Sequence, residues 1–468
     1  MKNAENLGYV IFLAAVAALG GFLFGYDTAD ISGTIKDVSA QFHLDDIQTG
    51  WYVGCALVGS IGGVLVAGKL SDWMGRRPVL VFSAILFTVS AIGCMLSSSQ
   101  LELVWYRIIG GIGIGIASII SPLYISEIAL PRYRGRLVAL YQLAITVGIV
   151  AAYFANAALL HYSESATPAA AWMDKVFVSE VWRGMLGVET IPALLFFIVL
   201  FFIPESPRWL VINRHEQHAE AVLSRMTGSA AAQTQIAEIK EMIHKEVKSD
   251  WRLLFQPGFR TVLFVGVSLA MLGQFMGVNA VLYYGPVLFE KAGMAQGSSL
   301  DFQIIVGLVN VFSTILAMWL IDRIGRKKLV YIGVSGMIVT LVAIAVYFIL
   351  NAAQQLAPEI LLVLIMLYIF CCAISICAVI FVLLSEMYPV KVRGAAMSIA
   401  GFSLWVGTYL IGQLTPWLLT HLAPSGVFLL FAFMCIPYLI ITWKLVPETT
   451  GKSLEEIEQQ ISQGKKKQ

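Results

Sequence analysis

Two ionisable residues stand in apolar stretches where ions are costly. Asp27 lies in Gly20-Gly21-Phe22-Leu23-Phe24-Gly25-Tyr26-Asp27-Thr28-Ala29, and Arg107 opens Arg107-Ile108-Ile109-Gly110-Gly111-Ile112-Gly113. An intramembrane charge is expensive unless paired, so each needs a reason to be there. Asp27 falls toward the outer end of the first apolar stretch and Arg107 toward the outer end of the fourth, which sets them at similar depth. A carboxylate beside a cation stays ionised, and protonating it releases the partner. The pair therefore reads as a proton switch that frees the helices carrying it to move. A structural ion pair, or an aspartate wetted at the interface, is the alternative reading of the same residues. Asp30, one turn beyond, is expected to be an exposed loop-end residue.

Three charged motifs occur twice, about 250 residues apart. Gly68-Lys69-Leu70-Ser71-Asp72-Trp73-Met74-Gly75-Arg76-Arg77 is echoed by Asp322-Arg323-Ile324-Gly325-Arg326-Lys327. Ser126-Glu127 with Arg134-Gly135 is echoed by Ser385-Glu386 with Arg393-Gly394, and Pro204-Glu205-Ser206 by Pro447-Glu448-Thr449. Such a repeat in apolar sequence implies a duplicated membrane half, the layout of a transporter that rocks between two open states. Chemically the motifs read as a charge clamp: Asp72 accepts a hydrogen bond or sits at a helix end, and Arg76 and Arg77 reach carboxylates such as Glu127. Glu386 and Arg393, with Asp322 and Arg326, would form the same latch in the second half. Basic loop residues that only fix orientation are the alternative.

Composition sets the solvent. The 468 residues are 58% hydrophobic and only 13% charged, with a mean hydropathy of +0.80. Globular domains carry about 25% charged residues, so most of this chain faces lipid. The net charge of +2 says little about partners, and no nucleic-acid surface is expected. Cys55, Cys94, Cys371, Cys372, Cys377 and Cys435 lie in apolar runs without metal-ligand spacing and read as small buried hydrophobes. The polar residues offer no nucleophile–base set, metal cluster or phosphate loop, so no enzyme, metal or cofactor is expected. No Asn-x-Ser/Thr sequon occurs, which favours a bacterial source.

A span needs about 20 apolar residues. Twelve are predicted, near 8–30, 50–69, 78–97, 103–125, 136–160 and 184–203, then 260–285, 302–321, 329–350, 358–385, 395–419 and 426–446. The first is read as a retained span rather than a signal peptide, since no small-residue cleavage site follows it. Lys69, Arg76, Arg77, Arg132, Arg134 and Arg136 share a side with Arg323, Arg326, Lys327, Lys328, Lys391, Arg393 and the terminal lysines. The opposite loops hold Lys36, Lys175, Arg183 and Lys291. The positive-inside rule then puts both termini and the central insert in the cytoplasm. The expected fold class is an all-α membrane protein: twelve transmembrane helices in two pseudo-symmetric six-helix halves with a short cytoplasmic helical insert. The boundaries expected are residues 1–204 for the first half, 205–255 for the linker, 256–450 for the second half and 451–468 for a tail. The linker reads as amphipathic helices, with Ile236, Ile239 and Ile243 on one face, lying under the bundle.

Taken together, the motifs resemble the sugar porter family of the major facilitator superfamily. Pro204-Glu205-Ser206-Pro207-Arg208-Trp209 and Pro447-Glu448-Thr449-Thr450-Gly451 match that family's set nearly residue for residue, and the likeness covers essentially the whole chain. The nearest pattern is that of bacterial proton-coupled xylose symporters, through the segments around Asp27 and Arg107. The resemblance implies the major facilitator fold, alternating access, and a monosaccharide bound between the halves. It also implies that Asp27 and Arg107 form the proton-coupling pair, with Glu189 a further acidic coupling position. By the same likeness Gln142, Gln274, Asn279, Asn310, Phe381 and Trp405 fall at sugar-binding positions, with Phe24 an aromatic wall and Tyr283 and Tyr284 an outer gate beside Pro286. Any one buried Gln or Asn is otherwise interhelical glue worth about 1 kcal/mol. The sequence departs from the family where Gly273 replaces a glutamine, Phe381 a tryptophan, Cys377-Ala378 a Gly-Pro pair, and Leu404 and Thr408 flank Trp405. Fewer hydrogen-bonding groups leave the sugar unassigned between pentose, hexose and polyol. The expected function is uptake of a monosaccharide with a proton by a monomer in a bacterial inner membrane. A facilitative uniporter is the first alternative, and a transporter-like sugar sensor the second.

Overall fold

The computed structural model describes residues 6–130, 132–165, 170–245, 257–388 and 392–446, with the side chains of 230, 242–245, 257–259, 322, 381, 385 and 393 excepted. Among these residues twelve helices are long and apolar enough to cross a membrane, the number predicted. The chain folds into two compact units. One comprises Met1–Asp30, Cys55–Ala155 and Tyr162–Val247; the other comprises Ile31–Gly54, Asn156–His161 and Lys248–Gln468.

The first unit contains the body of α1 (Leu7–Gln41), most of α2 (Asp46–Met74), α3 (Arg76–Leu96), α4 (Gln100–Ile128), most of α5 (Arg134–Ser165) and α6 (Trp182–Phe202). Helix α1 runs well past the predicted end at residue 30. Ile31, Ile35 and Val38 continue its buried face, and Thr34 is satisfied by the Tyr52 hydroxyl at 2.7 Å. Helix α4 starts where Ser99 accepts from the Glu102 backbone N–H, while the Glu102 carboxylate accepts from Ser98 N–H at 2.7 Å. This reciprocal cap fixes the register of Arg107, about two turns further on.

Helices α2 and α4 cross at backbone contact. A Cβ on Gly111 would meet the Ala56 carbonyl, and one on Gly59 the Ile108 carbonyl. Small residues at such crossings let membrane helices approach closely. A side chain at either position would force α4 outward and carry Arg107 with it. Helix α6 is interrupted between Gly187 and Thr190, where Ile191 N–H bonds three residues back to Val188. This tighter turn is the one that holds Glu189.

Three short helices follow: α7 (Pro207–Ile212), α8 (Glu216–Thr227) and α9 (Ser229–Lys245). Leu210, Val211, Ala219, Leu223, Ala232 and Ile236 form a small core between them, with Ile239 packed against it. Their apolar faces thus meet one another, and Trp209 Nε1 donates to the Asp72 carbonyl at 2.9 Å to tie them to the end of α2. The Ile243 side chain lies outside the described residues.

The second unit contains α10 (Pro257–Phe275), α11 (Val278–Lys291), α12 (Gln296–Ile324), α13 (Arg326–Gln354), α14 (Pro358–Cys372), α15 (Ala378–Met387), α16 (Arg393–His421) and α17 (Ala423–Leu445). Helices α10 and α11 are one interrupted span, broken at Gly277 with φ +90. A five-residue π turn, Ala373–Cys377, joins α14 to α15. The last turns of α1 and the first turns of α2 belong to this unit. Lys36 pairs with Glu290 at 3.0 Å, and Gln413 Nε2 donates to the Ile47 carbonyl at 2.9 Å.

Candidate functional site

Asp27 on α1 and Arg107 on α4 meet as the sequence predicts. Arg107 Nη1 donates to Asp27 Oδ1 at 2.9 Å, and each side chain is only 4% exposed. A third residue joins them: Asp30 Oδ1 lies 3.6 Å from the same nitrogen. Asp30 is fully buried, not the exposed loop-end residue expected, because α1 continues to Gln41. Glu189, also buried, completes the group; one carboxylate oxygen from each of Asp27, Asp30 and Glu189 lies within 4.8 Å of the others. The sequence spacing points to no metal cluster, yet three carboxylates converge here. The group already has a cation beside it, the Arg107 guanidinium next to Asp27 and Asp30. It suits a proton. Three carboxylates and one guanidinium, if fully ionised, would leave a net charge of minus two in a site closed to solvent, which is strongly unfavourable.

The motif residues form two clasps, one inside each unit. In the first, Arg76 makes a two-pronged contact with Glu127, Nε to Oε2 and Nη2 to Oε1, both 3.0 Å. Its Nη1 reaches the Ser71 carbonyl at 3.1 Å and the exposed Asp72 at 3.2 Å. Ser206 Oγ donates to Glu127 at 2.5 Å. Glu205 accepts from the backbone N–H groups of Arg76 at 2.9 Å, Arg77 at 3.2 Å and Ser206 at 2.7 Å, capping α3. Burial nevertheless outweighs these donors and pushes the Glu205 carboxyl above its ordinary value. Gly75, at φ +100, is where only glycine fits: a Cβ would strike the Glu205 carboxylate.

Arg77 departs from expectation. Among the described residues its guanidinium reaches no side-chain carboxylate; Nε donates to the Leu200 carbonyl and Nη2 to the Phe201 carbonyl, both at 3.0 Å. These carbonyls close the end of α6 and have lost their helical donors, so a cation there satisfies them. Arg134 stands exposed at the start of α5 and, among the described residues, joins no ion pair.

The second clasp repeats the first. Arg326 Nη2 donates to Glu386 at 3.2 Å and its Nη1 to the Ile321 carbonyl at 3.3 Å. Lys327 Nζ donates to the carbonyls of Trp443 at 3.1 Å and Val446 at 2.7 Å, as Arg77 does on α6. Glu448 and the side chains of Asp322 and Arg393 lie outside the described residues.

Of the residues matched to sugar positions, Phe24 on α1 and Gln142 on α5 are half-buried in the first unit. In the second unit the break at Gly277 brings Gln274, ending α10, against Asn279, opening α11. Asn279 Nδ2 donates to Gln274 Oε1 at 2.8 Å. Thr408 on α16 lies with Oγ1 3.0 Å from the same oxygen, so a residue taken as a departure is in fact part of the polar group. Asn310 on α12 and Trp405 on α16 are buried in the same unit. The Phe381 side chain is not described. Tyr368 donates to the Met276 carbonyl at 2.7 Å and so steadies the break.

Tyr283 and Tyr284 are both buried, and Tyr284 donates to the Gly412 carbonyl at 2.6 Å. Gln303 is a residue the sequence does not flag. Its Nε2 lies 3.3 Å from the carbonyls of Val281 and Leu282. Pro286 has no N–H to offer Leu282, and the buried Gln303 amide replaces it. The signal in the sequence is the proline itself, which guarantees an orphan carbonyl four residues earlier without saying what will meet it.

With this geometry established, comparison places the chain among known proteins. The family model described as "Sugar (and other) transporter" matches residues 13–461, and the chain belongs to that family. The "D-xylose-proton symporter" of Escherichia coli is 37% identical over 492 residues, covering 98% of this chain and 97% of the relative. The "Arabinose-proton symporter" of Bacillus subtilis is 36% identical over 458 residues, covering 98% and 96%. Among solved structures, the inward open conformation of the xylose transporter XylE from E. coli aligns with a TM-score of 0.83 at 34% identity, covering 97% of this chain and all of that one. XylE bound to 6-bromo-6-deoxy-D-glucose aligns with a TM-score of 0.79 at 35% identity, covering 97% and 99%. The fold is that of the major facilitator superfamily, and both family and structural neighbours are transporters.

Proposed function

We propose that the protein imports a monosaccharide, a pentose or hexose, together with a proton by alternating access. The observation that carries this reading is the buried Asp27–Arg107 pair, 2.9 Å apart and 4% exposed on both sides. A proton taken by Asp27 cancels the charge that holds Arg107, so occupancy by a proton and the packing of α1 against α4 are linked. Relatives named as arabinose–proton and xylose–proton symporters over nearly their full length support the same chemistry. Gln274, Asn279 and Thr408 offer a sugar hydroxyl both donors and acceptors, with Trp405 on the same helix as Thr408 for its C–H face. The crowding of lysine and arginine at one end of the spans supports cytoplasmic termini in a bacterial inner membrane. One chain carries the whole carboxylate cluster, which supports a monomer as the working unit.

The membrane potential supplies about 2.3 kcal/mol per 100 mV for each proton moved, enough to concentrate a neutral solute. The test is uptake of labelled sugars into proteoliposomes, with and without an inward proton gradient. Accumulation above the external concentration should appear only with the gradient. Accumulation that survives its collapse refutes symport, and mere equilibration under a maintained gradient identifies a uniporter.

A further inference from the structure

Proton coupling through Asp27 raises a difficulty that the cluster itself resolves. Once Asp27 is protonated, Arg107 loses the carboxylate to which it is hydrogen-bonded, in a place 4% exposed to solvent. Leaving a buried charge without its partner is strongly destabilising, so a pair alone would resist the proton it is meant to accept. Asp30 stands one helical turn along α1, fully buried, with Oδ1 3.6 Å from the same Arg107 Nη1 that binds Asp27. That separation is too long for a hydrogen bond and short enough to close by a rotation of the guanidinium.

We propose that Asp30 is a positioning residue for the proton step: it receives Arg107 when a proton occupies Asp27. The guanidinium then passes between two carboxylates on one helix and keeps a counter-ion in both states. The step balances simply. A proton from the entry side binds Asp27 Oδ2, which among the described residues accepts no hydrogen bond, the Nη1–Oδ1 bond to Asp27 breaks, and Arg107 Nη1 bonds Asp30. Release of the proton reverses each change.

Among the described residues the surroundings hold no second cation to do this work. The titratable groups that act on the cluster are Tyr26 on α1, Cys55 on α2, Cys94 on α3 and Glu189 on α6. None is basic. Glu189 has a carboxylate oxygen without a hydrogen-bond partner among the described residues, and it is buried within 4.8 Å of the two aspartates. Its negative charge would compete with theirs, so in this scheme Glu189 stays protonated while Asp27 and Asp30 share the guanidinium.

The inference rests on the symport reading, and the experiment separates the two. The measure is initial uptake into proteoliposomes against external pH, for the wild type and Asp30→Asn. An ionised Asp30 favours the proton on Asp27 both by repulsion and by receiving Arg107. Its loss should therefore move the half-maximal pH at least about one unit to the acid side, a tenfold higher proton concentration. A merely structural Asp30 would change the maximal rate and leave that midpoint in place, which overturns the proposal while symport stands. Uptake by the wild type that does not vary with pH overturns both. Should Asp30→Asn fail to insert, a crystal structure of Asp27→Asn provides the second reading, since the neutral amide imitates the protonated acid. Arg107 is expected within hydrogen-bond distance of Asp30 there, and its retention on residue 27 refutes the hand-over.

Discussion

The two clasps differ in a way that makes their strengths predictable. Arg76 and Glu127 are joined by two parallel bonds and are 6% and 3% exposed; Arg326 and Glu386 share one bond of 3.2 Å and are 15% and 22% exposed. Removing one member of a buried pair costs about 3–5 kcal/mol because the other is left charged and alone. Arg76→Ala should reach that range, since among the described residues Glu127 would keep only the Ser206 hydroxyl. Glu127→Ala should cost less, about 1–3 kcal/mol, because Arg76 retains Asp72 and the Ser71 carbonyl. Arg326→Ala should cost about 1–2 kcal/mol, as water reaches both partners. At roughly 2–4 °C per kcal/mol for a unit of this size, the difference of about 1–4 kcal/mol should make Arg76→Ala melt about 2–16 °C below Arg326→Ala in detergent. A double-mutant cycle at each pair then isolates the coupling. Equal coupling energies, or a larger one for Arg326 and Glu386, would refute the argument that burial and bidentate geometry set the strength.

Three other changes follow from the geometry. Asp27→Asn should abolish uphill accumulation of sugar while sugar-for-sugar exchange continues, and retained accumulation would shift the proton to another carboxylate. Thr408→Val removes one of the two groups meeting Gln274 Oε1 and should raise KM for sugar about 2–10-fold with little change in maximal rate, measured by transport kinetics. Glu205→Gln should flatten the pH dependence of stability. Because burial raises the Glu205 carboxyl, its stabilising contribution is present below the unfolded value of 4.5 and fades as pH rises through the higher folded value. Melting temperatures that fall in parallel for wild type and variant above pH 4.5 would contradict this.

The spans and the clasps are legible because their signals are local. Twelve apolar runs announce twelve helices, and a basic residue five positions after Ser71 or Ile321, just past a helix end, is placed to turn back toward those carbonyls. Asp30 escapes such a reading because the apolar run stops there, whereas the helix continues and is buried through Ile31, Ile35 and Val38 against neighbours no periodicity can reveal. Arg77 reads as a partner for carboxylates because charge suggests charge; the carbonyls of Leu200 and Phe201 are acceptors that every sequence contains and none advertises. Gln303 is silent for the same reason, its partners being backbone atoms. Thr408 reads as a lost polar group until Gln274 is seen beside it.

The hydrogen bonds of Arg77 to residues 200 and 201, and of Lys327 to residues 443 and 446, are made to peptide oxygens. Peptide oxygens are the same whatever side chain accompanies them. These hydrogen bonds can therefore survive a change of side chain at the accepting positions, provided the helix still ends at that level, whereas those that Arg76 and Arg326 make to Glu127 and Glu386 cannot. Each clasp thus joins one fastening that ties two side chains to a fixed identity with another whose hydrogen bonds follow the course of the chain. A duplicated gene with such paired fastenings can diversify its lipid-facing helix ends without loosening either half.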